Sequence, residues 1–207
     1  MKPMGRFSDA KERLMQAVLQ LIWSGSYGST TIDSICDKAG VKKGSFYYFF
    51  KSKADVAVAA LEVDWQTRRP ELDALFSPTV PPLERLSNFS EFAYRKQAEV
   101  KKGCGCVLGC ALFTLGAEIC TQEKDLRCKI QEILGSYRKY LESAIRDAQA
   151  IGLIEVADVP AKARMLFAYY EGVLTQARIQ NDAEVLRDLP AGMCAFLGIK
   201  SLEALAG

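Results

Sequence analysis

The chain has 207 residues, 49% of them apolar and 25% charged, with a formal net charge of +2 and no histidine. This is the composition of a globular protein, and no apolar run approaches the ~18 residues of a membrane span. Lacking histidine, the chain has neither the commonest general base nor the commonest metal ligand, which argues against a hydrolase.

The first helix is expected over residues 8–24, capped by Ser8 or Asp9, with Leu14, Ala17, Val18, Leu21 and Ile22 as its buried stripe. Gly25 and Gly28 mark a loop. Thr30 or Thr31 caps a second helix, whose first turn holds Asp33 and whose inner face carries Ile32, Ile35 and Ala39. Gly40 stops it, because glycine accepts a positive φ. Val41 plugs the turn, and Lys42, Lys43, Gly44 and Ser45 supply charge, a flexible joint and a capping hydroxyl before Phe46.

Five aromatics, residues 46–50, cannot all face one core. Phe46, Phe49 and Phe50 share the i, i+3, i+4 face and should point inward, leaving Tyr47 and Tyr48 outward with the lysines. Two helices joined by a short glycine-containing turn form a helix-turn-helix, whose second helix enters a DNA major groove. The expected DNA contacts are Thr31, Lys42, Lys43, Gly44, Ser45, Tyr47, Tyr48 and Lys53, chemistry suited to phosphate. A capping aromatic cluster is the structural alternative. Charge is uneven in the same sense. Residues 1–53 hold nine lysines and arginines against four aspartates and glutamates, an excess of five, and the remainder carries an excess of three negative charges. Such a basic head suits phosphate, or is solvated surface.

The segment Tyr27-x-x-Thr30-Thr31, then Ile35-x-x-x-Ala39-Gly40-Val41-x-x-Gly44-Ser45-Phe46-Tyr47-x-Phe49-Phe50-Lys51-Ser52-Lys53, resembles the tetracycline-repressor (TetR) family of bacterial regulators. The match covers about the first 60 residues; Ser26 and Ala54 depart from the usual pattern. The resemblance implies a three-helix DNA-binding head over residues 1–52, a helical ligand-binding and dimerisation body over 53–207, and a homodimer. The expected fold is therefore all-α with about nine helices.

Ser52 caps a fourth helix through Val56, Ala59, Ala60, Val63 and Trp65, which Pro70 should end or kink. In the family this helix transmits the signal from body to head. After a proline-rich loop at 77–82, a fifth helix runs from Leu83 to about Val100 and breaks at Gly103, Gly105 and Gly109. The sixth, from about Val107 or Cys110 to Cys120, is apolar enough to be buried on all sides, with Glu118 as its odd charge. A seventh spans about 123–150 and stops at Gly152. The eighth opens at Asp158 or Val159 and runs to about Ile179, with one face of Met165, Ala168, Tyr169, Gly172, Val173, Gln176 and Ala177. A ninth, about 182–197, should kink or break at Pro190. The resemblance places the dimer interface on these last two helices.

Cysteines stand at 36, 104, 106, 110, 120, 128 and 194, five of them within 25 residues. Residues 1–7 lack the apolar stretch of a signal peptide, so a cytoplasmic location and reduced thiols are expected. Three roles compete for the cluster: small buried hydrophobes, a redox or electrophile switch aided by Lys101 and Lys102, and a soft-metal site on Cys-x-Cys-x3-Cys. The stretch around Gly109-Cys110 and 117–127 is also similar to a TetR-like subgroup in which a cysteine after glycine senses oxidants or reactive carbonyls. That similarity makes Cys106 and Cys110 sensor candidates, with Cys120 beside them. An apolar pocket for a small-molecule effector is expected among Trp65, Phe89, Phe92, Phe113, Tyr137, Tyr169 and Tyr170.

These readings converge on a homodimeric transcriptional repressor, released from a palindromic operator by a ligand or by cysteine modification. No catalytic residue, metal ligand set, cofactor or membrane contact is assigned. The competing class is a thiol-based redox or soft-metal-binding protein.

Overall fold

A computed structural model of the chain describes residues 5–119 and 121–199. Among them are nine α-helices and one 3-10 helix: α1 Gly5–Ser24, α2 Ile32–Ala39, α3 Lys43–Phe49, α4 Lys53–Leu75, α5 Pro82–Cys104, α6 Ala111–Ile119, α7 Lys124–Ala150, α8 Val159–Gln180, the 3-10 helix Ala183–Asp188, and α9 Leu189–Leu197. They form two compact units. One comprises residues 1–68 with 111–133, the other residues 69–110 with 134–207.

In the first unit α1, α2 and α3 pack on one another, and α1 also meets α6. Leu14, Ala17, Val18 and Ile22 of α1 are buried with Ile35 and Ala39 of α2 and with Phe46 and Phe50. Thr31 is the α2 cap. Its Oγ1 accepts from Ser34 N at 3.1 Å, and Ser34 Oγ accepts from Thr31 N at 3.0 Å, a reciprocal capping box. Gly40 ends α2 at φ +63°, and Arg13 Nη1 adds a bond to the Ala39 carbonyl at 2.8 Å. Ser45 is not the cap of α3. The helix begins at Lys43 with Lys42 before it and no side-chain cap bond, because a lysine side chain offers no acceptor; the Lys42 carbonyl accepts from Ser45 N and Phe46 N. Ser52 does cap α4, accepting from Asp55 N at 3.1 Å.

Pro70 does not end α4, which continues to Leu75. The carbonyl four residues earlier, on Gln66, loses its N–H donor, but this turn is exposed and water can replace it. Gly103 does not break α5 either. The helix runs to Cys104 and stops at Gly105, which holds φ +79°. In α6 only one face is buried, through Leu115 and Ile119; Phe113 is 43% exposed, so within the chain the helix is amphipathic and not fully enclosed.

In the second unit α5 and α8 pack against the 3-10 helix and α9. Its core is an aromatic ladder in which Phe89 stacks on Tyr170 at 4.5 Å, flanked by Phe76, Tyr137, Tyr140 and Phe167. The buried Arg85 donates to Val80 O at 2.7 Å and pairs with Asp147 at 2.5 Å. Pro190 breaks the last segment as expected. Residues 183–188 wind as a 3-10 helix, and α9 starts at Leu189 with the proline in its first turn. The face expected on α8 divides. Val173 and Ala177 are buried and Tyr169 is half-buried, whereas Met165, Ala168, Gly172 and Gln176 are exposed, as is Ile179 beyond them.

Candidate nucleic-acid interface and effector site

The α3 helix is held by Phe46, fully buried, and Phe50; Phe49 is half-buried. Tyr47 and Tyr48 point out, 54% and 73% exposed. Thr31, Lys42, Lys43 and Gly44 are exposed on the same unit, and Ser45 is half-buried. Lys43 Nζ lies 2.7 Å from Asp33 across the α2–α3 corner, and this bond raises the lysine pKa. Hydroxyls, ammonium groups and the start of α3 thus share one solvent-facing surface able to meet phosphate.

Lys53 stands apart from that group. Its ammonium donates to Tyr27 O at 2.7 Å and Thr30 O at 2.8 Å, and lies 4.0 Å over the Tyr27 ring. Burial lowers its pKa, while Glu118 and Glu123 work in the opposite direction. The structure therefore gives Lys53 a role the sequence did not suggest, tying the loop between α1 and α2. The same loop is held from the other side by Glu118, which accepts from Tyr27 N at 2.9 Å and Gly28 N at 2.7 Å. Tyr27 donates its hydroxyl to Glu123 at 3.0 Å; burial and that bond raise the phenol pKa. Glu118 was visible in the sequence as a lone acid in an apolar helix, but nothing there named its partners about 90 residues away.

The seven aromatics expected to line an effector pocket are divided between the two units. Trp65 and Phe113 belong to the first unit. Phe89, Tyr137 and Tyr170 are members of the aromatic ladder in the second, Phe92 is buried on α5, and Tyr169 lies tilted against Phe196 and donates to Asp188 O at 3.1 Å. A small cavity of about 10 Å³, room for about one water, lies between α5 and α9, lined by Leu83, Leu86, Ser87, Pro190, Met193 and Cys194. None of the seven lines it.

The described cysteines form no disulfide. Cys36 and Cys194 are buried, and burial raises both thiol pKa values. Cys104 and Cys106 are exposed, and Cys104 Sγ donates to Cys106 O at 3.4 Å. Cys120 lies outside the described residues. Among the described residues no group of three or more cysteine or carboxylate side chains is placed to hold a metal ion. Cys110 is half-buried and donates its thiol to Glu171, a residue of α8 that sequence reasoning passed over. Its signal was available: an acid inside the apolar run of α8. Lys101, expected to activate the thiols, instead donates to Asn181 O at 2.7 Å.

A three-helix head with a helix-turn-helix, in a chain whose described elements are all helical, is the architecture of a DNA-binding regulator. Residues 14–60 match the family model described as bacterial regulatory proteins, tetR family, and residues 82–192 match the tetracyclin repressor-like C-terminal domain. The chain belongs to the TetR family of transcriptional regulators. It is 30% identical to the transcriptional regulator AcuR of Cereibacter sphaeroides, over 83% of this chain and 77% of that one. It is 25% identical to the HTH-type transcriptional repressor NemR of Escherichia coli K12, over 87% and 89%. Among solved structures, a regulatory protein TetR from Rhodobacter sphaeroides superposes with a TM-score of 0.79 at 28% identity, covering 90% of this chain and 98% of that one. E. coli NemR in its reduced form gives 0.75 at 22%, covering 91% and 97%, and shares the fold.

Proposed function

We propose that the protein is a homodimeric repressor that binds a palindromic operator through α3 and is released by a small-molecule effector or by modification of a thiol in the body. The observation that carries the reading is the division of faces on α3. Phe46 and Phe50 anchor the helix, while Tyr47 and Tyr48 stand out beside Lys42 and Lys43. Residues 1–52 serve as the DNA-binding domain and 53–207 as the effector and dimer domain. Thr31, Lys42, Lys43, Gly44, Ser45, Tyr47 and Tyr48 make the DNA contacts, and Lys43 exchanges Asp33 for phosphate on binding. Lys53 contributes by fixing the α1–α2 loop.

A two-fold dimer reads two half-sites about 34–36 Å apart or a multiple of it. The exposed Met165, Ala168, Gly172 and Ile179 of α8 offer a face on which a second copy can pack closely. An effector acts only through unequal affinity for the DNA-bound and released states. Cys106 and Cys110 are the thiols proposed for modification. No described helix is long and apolar enough to cross a membrane, in keeping with a cytoplasmic regulator. The test is a gel shift of the protein on DNA upstream of its own gene. Specific, salt-sensitive binding that weakens in Lys42→Ala and Tyr48→Ala is expected; indifference of binding to all α3 substitutions refutes the interface.

A further inference from the structure

A buried carboxyl lies against the segment that leads into α6. Glu171 of α8 is 2% exposed, one of its oxygens takes the Cys110 thiol, and Oε2 has no hydrogen-bond partner. A buried polar atom left unmet costs stability, and a buried charge costs more. The segment itself is seated on α5 and α8 by side chains. Gln97 of α5 accepts from Leu108 N at 3.1 Å and Gly109 N at 2.8 Å, and donates to Gly109 O at 3.1 Å. Arg178 of α8 donates to Leu108 O at 2.9 Å. Gly109 holds φ +63°, and a Cβ there would stand 3.3 Å from the Leu174 carbonyl, so only glycine lets the chain lie so close to α8. Cys106 is exposed and Leu108 and Cys110 are half-buried, so water stands on the outer side of the segment.

We propose that Glu171 is a proton-operated latch on the entrance to α6: protonated, it stays buried and keeps residues 107–110 seated on α8; ionised, it draws in water and the segment lifts. The O–H proton passes to solvent, and no reagent is consumed. The latch belongs to the body and stands without the repressor reading, whereas its effect on DNA rests on that reading. Ala111, next in the chain, begins α6, and Glu118 toward the other end of that helix accepts from Tyr27 N and Gly28 N of the head. Freeing the start of α6 loosens this grip, so operator affinity falls as pH rises.

The sign follows from linkage. Burial raises the Glu171 pKa to about 7, with the thiol bond working in the opposite direction, against an ordinary 4.5 once the carboxyl is open to water. The closed form holds its proton more tightly. Its advantage is therefore complete below pH 4.5, falls about tenfold per pH unit up to 7, and changes no further above. The titratable groups on the surrounding elements are engaged elsewhere. Lys101 of α5 donates to Asn181 O, Arg178 to Leu108 O, and Arg187 of the 3-10 helix to Glu184; α9 brings only the Cys194 thiol and α7 the Tyr137 phenol of the ladder. Burial and the Cys110 thiol alone move the Glu171 proton. The chain has no histidine, so the side chain that ordinarily titrates in this range does not obscure the response.

Amide hydrogen exchange of the full chain across pH 5.5–8, corrected for the intrinsic pH dependence of exchange, reads the latch at Leu108 and Gly109. In the wild type their protection should fall about tenfold per pH unit and level off above pH 7, while the amide of Phe89 in α5 stays protected at least about tenfold more strongly. Glu171→Gln keeps an acceptor for the thiol but cannot ionise, so its protection at these amides should not vary with pH. A wild-type profile without the bend near pH 7 overturns the latch and needs no variant. So does a Glu171→Gln profile that follows the wild type, or a segment that exchanges only together with Phe89, since opening is then global. The DNA arm uses the region upstream of the protein's own gene at constant salt. Wild-type affinity should fall about fivefold or more from pH 5.5 to 7.5 and that of Glu171→Gln should hold. Equal wild-type affinity at both pH values overturns the reach of the latch to the head. Absence of specific binding at either pH refutes the repressor reading, and the exchange profile still decides the latch.

Discussion

Glu118→Ala isolates the tether that holds the recognition head. The carboxylate accepts two backbone N–H bonds, from Tyr27 at 2.9 Å and Gly28 at 2.7 Å, and lies in the field of the Lys53 ammonium. Hydrogen bonds to a charged acceptor contribute about 1.5–3 kcal/mol each when shielded. Here Gly28 and Glu118 are exposed, so water replaces much of what is lost at Gly28, and screening weakens the rest. Tyr27 is buried, so its N–H is left poorly satisfied. The sum is about 1–2 kcal/mol, corresponding to a fall in melting temperature of about 2–4 °C per kcal/mol for a chain of this size. Thermal or urea unfolding measures the loss, and amide exchange should show faster opening at Tyr27 and Gly28 while Ile35 and Phe46 stay protected. Unchanged exchange at Tyr27 and Gly28 in Glu118→Ala refutes the tether, whatever happens to global stability.

Four further outcomes follow from the geometry. Glu171 has a folded-state pKa of about 7 against an ordinary 4.5, so it holds its proton more tightly when folded; its stabilising contribution is complete below pH 4.5 and lost as pH rises through 7. Glu171→Gln should therefore match wild type at pH 4.5 and exceed it at pH 8 by up to about 3 kcal/mol in urea unfolding. Phe46→Ala empties a fully buried site and should cost about 3–5 kcal/mol, read by denaturation and by loss of DNA binding. Lys42→Ala should weaken specific and non-specific DNA alike and reduce the salt slope by about 1, read by titration at several salt concentrations. Gly192→Ala would set a Cβ 1.8 Å from the Tyr169 hydroxyl; that ring must swing away from Asp188 O, costing about 1–2 kcal/mol in thermal melts.

Local rules account for much of this molecule. Helical spacing of apolar residues located α1, α7 and α8, and the Thr31 cap with Gly40 bounded α2, because those signals are written within one or two turns of chain. The split of the α3 aromatics into an anchored pair and an outward pair is likewise periodicity alone. Pro70, Gly103 and Ser45 misled for different reasons: water can meet the carbonyl freed at the exposed Pro70 turn, Gly103 costs only backbone entropy near the helix end, and α3 begins two residues before Ser45. The aromatics Phe89, Phe113 and Tyr169 read alike in the sequence, yet one is a ladder member, one is on the surface and one is hydrogen-bonded at its hydroxyl.

What the amino-acid order settled by itself was the helix-turn-helix and the all-helical class, since both depend on neighbours a few residues apart. What the tertiary structure decided were the long-range pairs: Lys53 and Glu118 closing on the loop at Tyr27, and Cys110 meeting Glu171. In each, a charge or thiol takes its role from a partner dozens of residues away, and burial shifts the proton affinity of Lys53 and Glu171; neither is encoded in local spacing.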